Sequence, residues 1–230
     1  AHECPHYPYQ GPTDPGFRTP GNPEPIAGPR TDQDAAYREM MESMDEGIGR
    51  IVDTIDELGL GDDTLIFFFS DNGPSGPGSS GPLRGRKGTV WEGGHRVPAI
   101  ARWQGRIPAG GETRETAIGM DLFPTFLCIA GIEAPSGREL DGTDLLPLLT
   151  TGAALPERKL FWRHKEQRAV RSGKYKLVVE PGVRPALFDL EADLAETADI
   201  APEHPGKAAE LSSALAAWEL DVSSGVTRLS

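Results

Sequence analysis

Asp71 and Asn72 stand side by side in Phe69-Ser70-Asp71-Asn72-Gly73, where a short apolar run ends. Adjacent hard oxygens of this kind suit Ca²⁺ or Mg²⁺, although a calcium shell takes roughly six to eight. Taken alone, Asp-Asn-Gly fits first an Asx turn capping the next element. Lys87 lies between Gly85 and Gly88, whose small size would let one strongly hydrated point charge reach an anion. Solvated loop lysines share that pattern. His6 is held between Pro5 and Pro8, which restrict its backbone. Its imidazole could donate to an anion or shuttle a proton near neutral pH, or simply sit on a surface loop. His95, after Gly93-Gly94, and His164, after Trp162-Arg163, are further candidates for contacts to a substrate, with less context behind them.

These residues need elements to hold them. Residues 1 to 30 are dense in Pro and Gly, which removes donors and predicts a loop. Apolar residues at Met40, Met41, Met44, Ile48, Ile51, Val52, Ile55 and Leu58 recur at helical spacing and predict one striped helix. Thr31 with Asp34 resembles a capping pattern at its start, and Gly59 suits its end. Thr64 to Phe69 reads as a strand buried on both faces of a parallel sheet. Its carboxyl end is where open α/β sheets place ligands. Val97 to Trp103 predicts a second strand, and Met120 to Ile132 a helix that tolerates Pro124 in its first turn. After Leu149 come short strands at Leu160-Phe161-Trp162, Arg168 to Arg171, Tyr175 to Val179 and Ala186 to Leu190, spaced for an antiparallel sheet. A final helix with Ala208, Leu211, Leu215 and Trp218 on one face would cover it.

Composition narrows the classes. The 230 residues carry a formal charge of -12 and no Lys/Arg block, which argues against nucleic acid as a partner. Apolar runs such as Leu65 to Phe69 are far short of the roughly 20 residues a membrane-spanning helix requires. Two cysteines, Cys4 and Cys128, indicate no disulfide framework, and Cys128 in its apolar stretch predicts a buried thiol. No signal peptide is read at Ala1.

Four segments carry a resemblance. Residues 2–12 with their Pro5-His6-Tyr7-Pro8, Phe69-Ser70-Asp71-Asn72-Gly73, Leu83-Arg84-Gly85-Arg86-Lys87-Gly88-Thr89 and Glu92-Gly93-Gly94-His95-Arg96-Val97-Pro98 occur in this order. Met120 to Thr125, Leu140-Asp141-Gly142, Gly173 to Leu177 and Leu187 to Glu191 follow. Together they resemble the type I sulfatases of the alkaline phosphatase superfamily, especially the arylsulfatase and N-acetylgalactosamine-sulfatase branch. The resemblance implies an α/β fold, part of an alkaline-phosphatase-like α/β/α sandwich with a small C-terminal antiparallel sheet and helix. Residues 1–150 would be the C-terminal half of the catalytic domain and 151–230 a small α+β subdomain. It implies a sulfuric ester hydrolase acting on aryl or carbohydrate sulfates, in which a formylglycine made from Cys or Ser attacks sulfur beside calcium, or magnesium in its place. Asp71 and Asn72 would be metal ligands, Lys87 and His6 would grip the sulfate or leaving-group oxygen, and His95 and His164 would touch substrate. Periplasmic, extracellular or lysosomal placement goes with the family, and no address segment is read here.

The chain also departs from the family. An aspartate pair after an N-terminal strand, the first metal pair, has no match, since Asp62-Asp63 precedes its strand. Neither Cys4 nor Cys128 begins Cys-x-Pro-x-Arg. Ser80-Gly81-Pro82-Leu83-Arg84 spells the serine version, but its glycines and β-type neighbours oppose the helix whose N-terminus a nucleophile would use. The expectation is that the chain begins midway through the catalytic domain, partners an N-terminal half carrying the formylglycine, and is inactive alone with its parallel strands uncovered. Truncation, a partial gene and a split protein stay open. The competing classes are a phosphonate or phosphodiester hydrolase of the same superfamily and a non-catalytic module binding sulfated glycans.

Overall fold

The structure is a computed structural model that describes residues 6, 9–14, 30–137 and 139–224. Most of the Pro/Gly-rich opening, including Cys4 and the Pro5, Tyr7 and Pro8 neighbours of His6, lies outside the described residues. The chain divides into two compact units, Ala1–Ile66 with Arg102–Arg106, and Phe67–Ala101 with Ile107–Ser230.

The first unit is built on helix α1, Gln33–Glu57. Its N-cap is Asp32 rather than the expected Thr31: the Asp32 carboxylate accepts from Ala35 N at 3.1 Å, satisfying one orphan donor of the first turn. At the other end Gly59 takes φ +67°. Its N–H donates to Asp56 O, and that of Leu60 donates to Ile55 O at 2.9 Å, the paired bonds of a Schellman stop. Ala36 is buried, but Ile51 is 60% and Leu58 66% exposed, so the C-terminal part of the apolar stripe is partly open while the rest is half-buried. Trp103 Nε1 donates to Asp62 O, and Arg102 grips Asp56 through both carboxylate oxygens.

Strands β1, Ile66–Phe69, and β2, Ala99–Arg102, form a two-stranded sheet. The expected burial of β1 on both faces is not met: Phe68 and Phe69 are 39% and 38% exposed, and Ile100 64%. β1 and β2 pair only with each other among the described residues, so the apolar run lacks the flanking layers that would cover it.

Two short helical pieces follow in the second unit, α2, Glu92–His95, and α3, Leu122–Ile129. Pro124 falls in the first turn of α3, where its missing N–H costs nothing. Cys128 is exposed, contrary to the buried thiol expected. α3 is apolar nearly all round and buries only the Thr125 side, so Cys128 shares the open side with Phe123 and Phe126. A hydrogen bond to Asp144, with some burial, pushes its thiol pKa up. The helix start is tied by Asp121, buried and held by both guanidinium nitrogens of Arg158, while Thr125 Oγ1 accepts from Leu145 N just ahead of α4, Leu146–Thr151.

The second unit is dominated by an antiparallel sheet of β3, Lys159–His164, β4, Gln167–Ser172, β5, Tyr175–Val179, and β6, Ala186–Asp189, in that order. Register pairs Phe161 with Val170, Val170 with Leu177, and Leu177 with Leu187, so one face is a continuous apolar row. Helix α5, Pro205–Ser223, lays Leu211 and Leu215 on that row, and Trp218 stacks on Phe161 at 5.1 Å. The face read for the last helix is the one it buries. On the opposite face Ala169, Val178 and Phe188 pack against Val90 and Trp91. The sheet is therefore covered from both sides, and one cover is the segment directly following Lys87-Gly88-Thr89.

Candidate functional site

Asp71, exposed, and Asn72, half-buried, follow β1 at its strand end, with Ser70 Oγ donating to Asn72 O at 2.8 Å to hold the turn. Gly73, next in line, is buried: its N–H donates to Gly94 O at 2.9 Å, and a Cβ there would lie 1.9 Å from Gly93 O. Only glycine permits this approach of two backbones. Lys87 N donates to Pro74 O at 3.1 Å. The strand end carrying Asp71 and Asn72 and the turn carrying the exposed Lys87 are thus fastened together through main-chain bonds.

The Lys87 turn closes on itself. Gly93 N donates to Arg84 O at 2.7 Å, which brings the two ends of the loop together, and Thr89 Oγ1 donates to Arg86 O at 2.8 Å. Arg86 Nη2 caps Gly76 O and Gly78 O at 2.6 and 2.7 Å. Ser80 Oγ donates to Leu83 O and Gly85 O, each at 3.1 Å, and no helix begins at residues 80–84. Its hydroxyl serves loop closure, in line with the sequence argument against it as a nucleophile.

Beneath this loop lies a buried charge cluster that the pattern of residues did not announce. Glu92, Lys176 and Glu196 are each 0% exposed. Lys176 Nζ sits 2.8 Å from Glu92 Oε1, 2.8 Å from Glu196 Oε1 and 3.2 Å from His95 Nε2. Glu196 Oε1 makes no hydrogen bond of good geometry, so its contact with Lys176 is ionic rather than directional. Glu92 Oε2 also faces Arg96 and Arg171 at 3.3 and 3.6 Å. Burial pushes the Glu92 carboxyl up, but Lys176 by charge and hydrogen bond, helped by His95 and Arg171, brings it below its ordinary value. For Glu196 burial prevails over Lys176 and holds the carboxyl above its ordinary value. Arg171 is lowered by burial against the pull of Glu92. Two carboxylates around one ammonium share it unequally, as like charges at close quarters must.

The histidines fall in different places. His95 stacks on Trp162 with ring centroids 4.3 Å apart, and its Nε2 lies 3.2 Å from Val90 O. Burial and the Lys176 charge take its pKa down to about 4, so the ring is a neutral packing element at neutral pH. His164 is exposed at the end of β3, and a Cβ built on Gly88 would lie 3.6 Å from its Nε2; it borders the Lys87 turn directly. His6 is exposed and belongs to the first unit. Among the described residues no three His, Cys, Asp or Glu side chains converge as a metal cage would require. Asp71 and Asn72 fit a hard cation in ligand type and in adjacency, as part of a shell.

Residues 1–132 match the family described as Sulfatase. The chain belongs to the sulfatase family. Residues 86–218 also match the C-terminal family of N-sulphoglucosamine sulphohydrolase, which spans the small sheet and most of α5. Among curated proteins, N-acetylgalactosamine-6-sulfatase of Sus scrofa is 42% identical over 153 residues, covering 64% of this chain and 29% of that protein. Arylsulfatase A of Bos taurus is 43% identical over 151 residues, covering 61% and 29%. The chain thus spans under a third of these relatives' length. Among solved structures, Ps i-CgsB in complex with k-i-k-neocarrahexaose superposes with a TM-score of 0.77 at 27% identity, covering 82% of this chain and 44% of that one. The phosphonate monoester hydrolase of Agrobacterium radiobacter gives 0.58 at 26% identity, covering 83% and 41%. The fold is accordingly the α/β fold of alkaline-phosphatase-like sulfatases.

Proposed function

We propose that this chain supplies the second half of a sulfate-ester hydrolase site, acting on aryl or carbohydrate sulfates. The observation that carries the reading is the fastening of Asp71-Asn72-Gly73 to the Lys87 loop through Gly73 N to Gly94 O and Lys87 N to Pro74 O. It sets two hard oxygens and a cation on neighbouring turns at a strand end. In this reading Asp71 and Asn72 hold part of a calcium, or magnesium, shell, and a bound divalent ion would neutralise sulfate oxygens as a Lewis acid. Lys87 donates to a sulfate oxygen whose charge grows in the transition state. His164, bordering Gly88, contacts the leaving group, and His95 orients the Trp162 wall beside it. His6 is proposed as an anion-binding group through the family resemblance alone. Residues 1–150 act as the catalytic part and 151–230 as the appended subdomain that braces it. The N-terminal half of the domain, with the formylglycine, is the partner this reading requires, and the open face of β1 and β2 suits such a partner.

Turnover of an aryl sulfate against an aryl phosphonate ester by the complete catalytic domain tests this, with Lys87→Ala alongside. We expect sulfate to be preferred and kcat/KM to fall by about 100-fold in Lys87→Ala, the usual loss when one oxyanion donor goes. Unchanged turnover in that variant would remove Lys87 from the site. Preference for the phosphonate would favour the sister reading, which the likeness to phosphonate monoester hydrolase supports. The isolated chain, carrying only part of a shell, is expected to bind calcium with a Kd of about 10⁻⁴ M or weaker by calorimetry; micromolar binding contradicts the partial-shell assignment.

A further inference from the structure

We propose that Glu196 is a positioning residue, one that sets the Lys87 loop from the side of the small sheet. The inference rests on Lys87 as the anion-binding group of the reading above. Arg84 precedes Lys87 and Glu92 follows it, and the Gly93 N to Arg84 O bond of 2.7 Å draws these two ends into one base. Glu196 grips both. Its backbone carbonyl accepts from Arg84 Nη1 at 2.8 Å, and its carboxylate Oε2 accepts from Glu92 N at 2.7 Å. The Arg84 guanidinium is further fixed by lying 3.6 Å over the Trp91 ring, which itself packs edge-on against Phe188 of β6.

The conformation of Glu196 is made for this double grip. It is one of two non-glycine residues with positive φ among those described, at +54°, a region L residues with long side chains rarely enter, and such outliers gather where surrounding structure over-determines them. Here Asp193 does so: its carboxylate accepts from Thr197 N and Ala198 N at 2.7 and 2.8 Å, while Asp193 O accepts from Glu196 N at 3.2 Å. The turn that follows β6 is thereby rigid. It directs a carbonyl and a carboxylate from a single residue at the two ends of a loop more than a hundred positions earlier. Lys176 completes the arrangement by offsetting the charge that Glu196 and Glu92 would otherwise leave buried together.

The test is backbone hydrogen exchange in the full chain, comparing residues 84–94 with β4 and β5, for Glu196→Ala, Glu196→Gln and wild type. Exchange in 84–94 should rise about tenfold or more in Glu196→Ala while the sheet keeps its protection, as expected for local rather than global opening. Glu196→Gln, which retains an acceptor for Glu92 N, should recover part of that protection. Uniform loss across loop and sheet, or no change in the loop, overturns the proposal. Should Glu196→Ala fail to fold, Arg84→Met on the exposed side of the grip reads the same loop, and an unchanged exchange rate there also overturns it. Affinity for inorganic sulfate in Lys87→Ala reports separately: if that affinity matches wild type the anion reading fails, while the exchange result still decides whether Glu196 holds the loop.

Discussion

The wholly apolar strand of this chain, Ile66–Phe69, lies in its exposed sheet, while the mixed strands of β3–β6 form the covered one. In β3–β6 the rows on both faces meet a partner: Val170, Leu177 and Leu187 lie under Leu211 and Leu215, and Ala169, Val178 and Phe188 lie under Val90 and Trp91. In β1 and β2 the corresponding side chains, Phe68, Phe69 and Ile100, remain 38–64% exposed. Strand residues acquire stability from what covers them, not from hydrophobicity as such. The covered sheet is therefore the anchor of the second unit, and the motif segment serves as one of its covers.

That contrast can be attacked first at its charged underside. Lys176→Met would leave Glu92 and Glu196 buried without their shared cation, and breaking a buried pair in this way costs about 3–5 kcal/mol. Thermal unfolding should show the lowest midpoint of any variant named here, and Lys176→Met combined with Glu92→Gln should regain part of it. A midpoint close to wild type would mean the cluster is wetter than its burial implies.

Leu211→Ala in α5 removes a fully buried side chain and should cost about 3 kcal/mol by denaturant titration. Phe69→Ala in β1, already well exposed, should cost under about 1 kcal/mol. Equal losses would dissolve the distinction between the two sheets.

Acid should loosen the covered sheet. His95 is held at about 4 in the folded chain against an ordinary 6.5, so as pH falls from 6.5 towards 4 the unfolded chain takes up a proton that the folded chain refuses. Stability then drops, by up to about 3 kcal/mol at 1.36 kcal/mol per pKa unit. The lowered Glu92 acts in the same direction, and the raised Glu196 opposes it by binding its proton more tightly when folded. His95→Gln should flatten the slope of unfolding free energy between pH 6.5 and 4.5; an unaltered slope would assign the acid sensitivity to the carboxylates.

Much of this was legible in advance because it is local. The three-and-four spacing of α1, the glycine stop at Gly59, the four short strands after Leu149 and the Leu211/Leu215 face of α5 follow from periodicity and turn chemistry acting within a few residues. Asp71, Asn72 and Lys87 could be picked out because their residue types stand at turns between apolar runs. Glu196 could not. It sits in Leu194-Ala195-Glu196-Thr197, an unremarkable acidic turn by sequence, and its partners Arg84 and Glu92 are 112 and 104 positions away. His95 was visible as a histidine near glycines, but nothing nearby foretold that Trp162 and Lys176 would close over it. The apolar neighbours of Cys128 predict a buried thiol, and the structure sets it on the open side of α3.

By itself, then, the sequence determined the long helices, the strands and which residue types stand at the turns, since backbone preference and hydrophobic period are settled over a handful of neighbours, while the short α2 and α4 carry too few residues to show a helical period. Only the tertiary structure decided which apolar faces are covered, which carboxylates share Lys176, and that the Lys87 loop is braced by the turn after β6. Those outcomes depend on contacts between residues far apart in the chain, where burial turns charge and packing into large terms whose sign no local pattern carries.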